Sequence, residues 1–315
     1  MSSPLVSVII PCYNRADIIG RAMRCVQRQT FCDWEMIIVD DGSQDDLAAA
    51  VGAFADDPRI RLVRHPVNRG VSAARNTGTA AATGRFVAFL DSDDEWIPEK
   101  LERQAAATMR AKDPDDVFCV TQSWIVLSDR KRLVRPLKGP MPGRSFAEFI
   151  YVDGGFAQTS TFFLSTSLAR QFPFCEQLKL MEDHLFFIGV GNSGAEYLLV
   201  PEPLSVWHNE GRPDRLSGAD NIPQWQKAMD AFAEEARGLI PPLVLLAAEA
   251  RYISGRIWQT APIASIKLLV RARLAGALTT RQVAAVFCRN TLPGGAYDAL
   301  RHWFALMTQP HYVRR

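Results

Sequence analysis

A run of four polar residues, Asp91-Ser92-Asp93-Asp94, comes directly after the apolar segment FVAFL. An extended strand continuing here would send Asp91 and Asp93 to the same side, where two carboxylates can share a hard divalent cation. Such a cation can bridge the phosphates of a nucleotide diphosphate and neutralise the charge that the diphosphate gains on leaving. The same run is also typical of a solvated turn that caps the next helix, because Asp and Ser are favoured in turns and at helix starts.

Motifs of several common nucleotide-binding and hydrolytic enzymes are absent from the sequence. The first predicted strand continues into PCYNR (11–15) rather than GxGxxG, and no GxxxxGK[ST] occurs. The Rossmann and P-loop interpretations therefore lack their phosphate-binding device. HExxH and GxSxG are also missing, so zincin and α/β-hydrolase chemistry has no anchor.

The elements that must position the acidic run alternate between strands and helices over the first hundred residues. Continuous apolar strands separated by helices predict a parallel sheet covered on both faces. Ligands of such sheets bind beyond the carboxyl ends of the strands, which is where the polar residues of this sequence fall. The predicted strands are 5–10, 34–39, 60–63 and 86–90, and the predicted helices are 16–29 and 71–82.

After residue 113 the pattern is looser. Segments 117–126, 160–164 and 197–200 are predicted as strands. Residues 128–145, rich in Arg, Lys, Pro and Gly without apolar periodicity, are predicted as a mobile loop. Beyond residue 224 the chain is predicted to be helical, with helices at 243–258, 264–274 and 281–289.

Five blocks of sequence follow one another along the chain: VSVIIPCYNRADIIGRAMRCVQRQTF (6–31), WEMIIVDDGSQD (34–45), NRGVSAARNTG (68–78), GRFVAFLDSDDEWIPEKLERQ (84–104) and MEDHLFF (181–187). These blocks resemble the inverting family-2 glycosyltransferases of the GT-A fold, of the bacterial polysaccharide and lipid-linked saccharide type. Their order and spacing match over about residues 5–210. The resemblance implies an α/β fold with a mostly parallel sheet flanked by helices, to which the sequence adds a helical C-terminal extension. The expected domains are a catalytic domain over 1–223 and a basic helical region over 224–315.

The resemblance implies a nucleotide-sugar site at the carboxyl ends of the strands. Asp41 or Asp40 is expected to bind the base or ribose, Asp91 to approach the ribose or the metal, and Asp93 to be the principal metal ligand. Arg75 is expected to face the diphosphate, with an ordinary surface cation as the alternative. The complete expected nucleotide-binding set is Pro11, Tyr13, Asp40, Asp41, Arg75, Asp91, Ser92 and Asp93.

The pair Glu182-Asp183 supplies the expected catalytic base. Inversion needs a carboxylate that takes the proton of the acceptor hydroxyl as the oxygen attacks C1. In the family this role falls to the aspartate of the pair, so Asp183 is the expected base and Glu182 supports it or orients the acceptor. A helix start is the alternative, because acids are favoured before an apolar run such as 185–190.

His208 lies in a polar loop with Arg212 and Arg215. Family members often close such a loop over the diphosphate, so His208 is a candidate metal ligand and the two arginines are candidate phosphate clamps. A purely structural histidine is the alternative.

The charge of the chain is nearly balanced but unevenly distributed. With 36 basic and 34 acidic residues the net charge is +2, which argues against a dedicated nucleic-acid coat protein. Residues 237–315 contain 11 basic and two acidic residues, a net +9, and the preceding part carries −7. Arginines interleaved with Leu, Ile, Val and Trp are typical of helices on an anionic membrane surface. A helical appendix packed on the catalytic domain or on a second subunit is the alternative.

The cysteines and the N-terminus predict the compartment. Six cysteines without CxxC or zinc-finger spacing are typical of free thiols in a reducing environment. The sequence shows no signal-peptide pattern and no run of ~18 uninterrupted apolar residues. We therefore expect a cytoplasmic protein, attached peripherally to the cytoplasmic face of the inner membrane if the basic helices bind lipid.

Together these features predict a glycosyltransferase that depends on Mg²⁺ or Mn²⁺ and moves a sugar to a saccharide or lipid-linked saccharide. The expected donor is a UDP-sugar. No nucleic-acid partner is expected. A nucleotidyltransferase is the enzymatic alternative, but it needs a Gly-rich basic loop that residues 11–15 do not provide. A non-catalytic nucleotide-binding scaffold is the other, and the intact DSDD and MEDH blocks count against it.

Overall fold

The computed structural model describes residues 3–128, 131–208, 222–258 and 260–292. These residues fall into two units. The first lies within Met1–Gly218 and Glu234–Ala236, and the second within Ala219–Ala233 and Arg237–Arg315.

A mixed sheet of nine strands forms the centre of the first unit, in the order β3-β2-β1-β4-β8-β6-β9-β5, with β7 paired to β6. Neighbours among β1 to β4 run parallel, as the alternating sequence pattern predicts, whereas β8 is antiparallel to both β4 and β6. The strands are β1 (Val6–Cys12), β2 (Trp34–Asp40), β3 (Ile60–Arg64), β4 (Phe86–Phe89), β5 (Glu95–Trp96), β6 (Val117–Ser128), β7 (Lys131–Arg135), β8 (Phe162–Ser165) and β9 (Glu196–His208).

Strands β1, β2 and β4 are buried along their whole length, because helices pack on the sheet. Gly78 in the third helix shows how close the packing is, since an added Cβ would lie 2.4 Å from the Ile9 side chain on β1. The helices of this part of the chain are α1 (Ile19–Gln27), α2 (Leu47–Gly52), α3 (Val71–Ala81), α4 (Lys100–Thr108), α5 (Phe146–Tyr151), α6 (Thr166–Gln171) and α7 (Glu182–Gly191).

Two sequence-based expectations differ from the structure in this unit. Residues 128–145 are not wholly a loop, because β7 pairs antiparallel with β6 and aligns Leu133 with Ile125. Basic residues are tolerated on such an edge strand, so the segment shows no apolar alternation. Strand β9 continues well beyond Val200, although Pro201 and Pro203 interrupt its sequence pattern. Register shifts against β6 accommodate the prolines.

The remaining described residues are helical: α8 (Ile222–Glu235), α9 (Pro242–Ile257), α10 (Pro262–Leu274) and α11 (Thr280–Thr291). The three helices predicted beyond residue 240 are thereby confirmed. Among the described helices, none combines the length and apolar character needed to cross a membrane.

Candidate active site

The ends of β1, β2 and β4 meet at one edge of the sheet, as their parallel pairing requires. Cys12 aligns with Asp40, and the Asp41 backbone N–H donates to the Cys12 carbonyl oxygen at 2.8 Å. The Leu90 N–H donates to the Ile9 carbonyl at 3.0 Å, which brings the acidic run after β4 to the same edge. The chain segments that carry the expected site residues therefore meet at one edge of the sheet.

The acidic run forms a turn rather than an extended strand. The Asp94 N–H donates to the Asp91 carbonyl oxygen at 3.0 Å, so the argument from strand alternation was wrong for Asp91 and Asp93. Both residues are nevertheless half-buried rather than fully solvated. Ser92, between them, is buried. Arg21 on α1 donates from Nη2 to the Asp93 carbonyl oxygen, which fixes the turn from the other side.

Asp94, the last acid of the run, is fully buried and supports the turn from below. Its Oδ2 accepts hydrogen bonds from the Ser160 hydroxyl at 2.7 Å and from the Gln158 side-chain amide. The Ser160 hydroxyl lies 3.1 Å from the Asp91 backbone N–H as well, and its carbonyl accepts from Trp96 Nε1 at 2.7 Å. Gln158 and Ser160 carry no local sequence signal for this role, because they lie more than 60 residues from the turn.

Arg75 connects the acidic turn to the second acidic pair. Its Nη2 donates to Asp91 Oδ1 at 2.7 Å and its Nη1 donates to Glu182 Oε1 at 2.9 Å. The guanidinium is only 3% exposed and lies 5.0 Å from the centre of the Phe174 ring. Burial acts to lower the pKa of Arg75, but the two carboxylates outweigh it and hold this pKa above its usual range. The side chain expected to face a diphosphate thus has both terminal nitrogens bound to carboxylates, which places it between the two halves of the site.

Asp41 sets the start of the helix that carries Arg75. Its carboxylate accepts from the backbone N–H groups of Arg69 at 2.9 Å and Gly70 at 2.7 Å, and it contacts His65 Nδ1 at 2.7 Å. Gly70 has φ of 96°, a left-handed conformation that favours glycine and allows α3 to begin at the next residue. Both oxygens of Asp41 are therefore engaged within the chain.

The other residues expected to bind the nucleotide lie at the same edge. Asp40 is buried, accepts from the Ser43 N–H at 2.8 Å, and lies 3.2 Å from Arg64 Nε. Pro11 is buried in β1, and Tyr13 follows the strand with 39% of its surface exposed. Tyr13 is the most accessible of these three side chains.

The second acidic pair occupies the first turn of α7. Met181 precedes it with φ of 66°, a strained backbone conformation for a non-glycine residue. Glu182 is buried and bound to Arg75, and Asp183 is half-buried with Oδ1 accepting from the His184 N–H at 2.8 Å. Burial raises the pKa of both carboxyls, and repulsion from Asp183 adds to the rise for Glu182. Asp183 is thus the more accessible carboxylate of the pair and has a raised proton affinity.

His208 does not join Asp91 and Asp93. Its Nε2 lies 2.7 Å from Glu95 Oε1, and Arg21 Nε lies 3.5 Å from the same oxygen. The antiparallel pairing of β5 with β9 brings Glu95 to the last residues of β9. Over the ranges that the structure describes, no three His, Cys, Asp or Glu side chains gather into a metal-binding group. Arg212 and Arg215, the other candidates of this segment, lie outside the described residues.

Two carboxylates at the turn still fit a hard cation such as Mg²⁺. Proteins commonly hold Mg²⁺ through one or two carboxylates, and substrate phosphates and water complete the coordination. Arg75 donates a hydrogen bond to Oδ1 of Asp91, so this carboxylate is already oriented before any metal ion binds. Asp91 and Asp93 are the residues that would hold the ion.

Comparison with known proteins identifies the family. The model of "Glycosyl transferase family 2" matches residues 7–169. The amylovoran biosynthesis glycosyltransferase AmsB of Erwinia amylovora is 32% identical over 207 residues, which cover 64% of this chain and 69% of AmsB.

Solved structures share the fold. S. aureus TarS 1-349 in complex with UDP-GlcNAc matches 98% of this chain and 93% of its own, with a TM-score of 0.63 and 20% identity. The mannosyltransferase PcManGT from Pyrobaculum calidifontis, in complex with GDP-Man and Mn²⁺, matches 98% and 82%, with a TM-score of 0.57 and 23% identity. The GT-A α/β fold expected from the sequence is confirmed, and glycosyl transfer is favoured over the nucleotidyltransferase and scaffold alternatives. The chain is an enzyme of glycosyl transfer and belongs to glycosyl transferase family 2.

Proposed function

We propose that the chain is a metal-dependent inverting glycosyltransferase. The donor is a nucleotide-diphosphate sugar with UDP as the nucleotide, and the acceptor is a saccharide or lipid-linked saccharide. The observation that carries the proposal is the position of Arg75 between Asp91 and Glu182. The buried Arg75 guanidinium holds the acidic turn and the acidic pair in one site. A displacement at C1 needs this arrangement, with the leaving-group side and the base side close together.

The donor half of the site is the turn after β4 together with the exposed ring of Tyr13. UDP-GlcNAc in TarS and GDP-Man with Mn²⁺ in PcManGT support a nucleotide-sugar donor and a divalent cation for this chain. Asp91 and Asp93 would hold Mg²⁺ or Mn²⁺. The cation supplies positive charge that stabilises the leaving diphosphate. The Arg21 side chain donates to the Asp93 carbonyl oxygen, and the Ser160 hydroxyl accepts from the Asp91 N–H. These two bonds hold the backbone of the turn that carries both carboxylates.

The acceptor half of the site is Asp183. Its carboxylate takes the proton of the acceptor hydroxyl while that oxygen forms a bond to C1, and the bond between C1 and the diphosphate oxygen breaks. Glu182 is bound to Arg75 and therefore positions the helix start rather than accepting the proton. The raised pKa of Asp183 strengthens it as a base at neutral pH.

The acceptor class and the division of the chain complete the proposal. The name of AmsB supports a role in polysaccharide biosynthesis. We assign catalysis to residues 1–223, and assign to the basic helical region 224–315 the task of holding the enzyme at the cytoplasmic face of the inner membrane, where a lipid-linked acceptor is reached.

Metal-dependent release of UDP tests the proposed function. UDP-, GDP- and dTDP-sugars are incubated with the chain in Mn²⁺, in Mg²⁺ and in EDTA, and nucleotide diphosphate is measured. We expect release from a UDP-sugar with either ion, falling by about 100-fold or more in EDTA because the leaving charge is then unneutralised. Asp93→Asn is expected to show the same loss with metal present. The exposed Asp56 is the matched control, and Asp56→Asn is expected to leave release unchanged. Equal release in EDTA would contradict metal dependence.

The pH profile of turnover is expected to show a raised acid limb. Burial raises the pKa of Asp183, and the base works only when ionised. Activity should therefore be complete above the raised pKa and fall as pH decreases through it, at a pH above the ordinary aspartate value of about 3.9. Initial rates at saturating metal, measured where circular dichroism shows a folded chain, locate the limb. A rate that stays flat down to the ordinary aspartate range would contradict the assignment.

A further inference from the structure

Helix α10 (Pro262–Leu274) has apolar residues on two opposite faces. The inner face is buried and includes Leu269 and Ala272. Ser265 lies on this face too, and its hydroxyl donates to the Ser254 carbonyl oxygen on α9 at 2.9 Å. One face of α10 is therefore packed against α9.

The outer face of α10 carries a stripe of exposed apolar side chains. Ile263, Ile266, Val270 and Leu274 are 70%, 41%, 47% and 82% exposed. They are spaced three, four and four residues apart, which places them in one line along the helix. Single exposed apolar residues are common, whereas a line of four over three turns is typical of an interaction surface.

Cations border this stripe on both sides. At ~100° per residue, Arg273 falls beside Ile266 on one edge and Lys267 beside Leu274 on the other, with Arg271 next to Lys267. All three cations are exposed, and α10 contains no acid. From 237 to 292 the sequence has eight basic residues and one acid, Glu249, a net +7.

We propose that the outer face of α10 docks on an anionic lipid surface. An apolar stripe bordered by Lys and Arg is the pattern of a helix that lies in the membrane interface, with the stripe among the acyl chains and the cations at the phosphates. The inference deepens the proposed function, because it names the surface that brings the enzyme to a lipid-linked acceptor.

Charge disfavours a second copy of the chain as the occupant. Two outer faces packed together would set Lys267, Arg271 and Arg273 of one copy near the same cations of the other. No acid of α10 could pair with them, and like charges at close range are repulsive. Anionic headgroups complement the same cations.

Vesicle co-sedimentation of the full chain tests the proposal. The probe is vesicles of phosphatidylcholine with phosphatidylglycerol, compared with phosphatidylcholine alone. We expect binding to the anionic vesicles that weakens as salt increases, and at least a tenfold loss when Ile266→Ser and Val270→Ser are combined. Combining Lys267→Gln and Arg271→Gln should weaken binding about fivefold for each charge removed. The matched control combines Val67→Ser and Leu137→Ser, which are 63% and 60% exposed in the first unit, and should bind as wild type.

The outcomes separate this proposal from the proposed function. Wild-type binding by the Ile266/Val270 variant, or no binding by the wild type, would overturn the docking surface. So would a wild-type dimer in size-exclusion chromatography that these two substitutions dissociate, since that would assign the stripe to a second copy. UDP release is measured on the same protein preparations in the absence of vesicles. If the wild type released no UDP, the enzymatic proposal would be refuted, and the result on vesicle binding would be unaffected.

Discussion

Asp183→Asn is expected to abolish sugar transfer and to leave donor binding intact. Asparagine has the same shape and can still accept the hydrogen bond that Asp183 Oδ1 takes from the His184 N–H. It cannot take a proton from the acceptor, and loss of a general base costs about 10²- to 10⁴-fold in rate. Turnover of the preferred donor and UDP affinity by calorimetry, both with Mn²⁺, measure the two effects separately.

Asp46→Asn is the matched control for this substitution. Asp46 also lies at a helix start, where its side chain accepts from the Ala49 N–H, and asparagine caps helices equally well. The control should therefore keep wild-type turnover. Full turnover in Asp183→Asn would remove Asp183 from the mechanism, and a lost affinity for UDP would assign it to the donor half of the site instead.

The strands at the centre of the fold were predictable because their sequence signal is local. β1, β2 and β4 are short apolar runs that end at polar residues, and burial on both faces makes such runs continuous. β7 and the far half of β9 were missed for the opposite reason. Their pairing with β6 comes from distant chain, and basic residues or prolines hide the strand pattern.

The candidate site was predictable as a set of acids but not as a geometry. The DSDD run and the acidic pair stand out by composition and by family resemblance. The bridge between them does not, because Arg75 is 16 residues from Asp91 and 107 residues from Glu182. The pairing of Glu95 with His208 spans 113 residues and redirects a histidine that was expected to bind metal. Such contacts depend on sheet topology, which one sequence does not specify.

Removing the bridge is expected to damage both stability and catalysis. Arg75→Met leaves the Asp91 and Glu182 carboxylates facing each other without their cation, and a broken buried pair typically costs about 3–5 kcal/mol of unfolding free energy. UDP release should fall by about 100-fold or more, because both halves of the site lose their fixed geometry. The acid limb of the remaining activity should move to higher pH, since the charge of Arg75 opposes the rise in the pKa of Asp183. Denaturant unfolding and the pH profile check these effects.

Two further variants separate position from charge. Arg75→Lys keeps a cation, but a single ammonium cannot reproduce the guanidinium fork, so we expect little recovery of turnover. Adding Glu182→Gln to Arg75→Met removes one unpaired buried charge and should restore part of the stability without restoring catalysis.

Arg85, which forms a similar two-nitrogen contact with Asp115 at the surface, is the matched control. Arg85→Met should cost no more than about 1 kcal/mol, because exposed pairs are screened by water. Equal losses at Arg75 and Arg85 would show that the bridge is an ordinary ion pair and that Asp91 and Glu182 hold their positions without it.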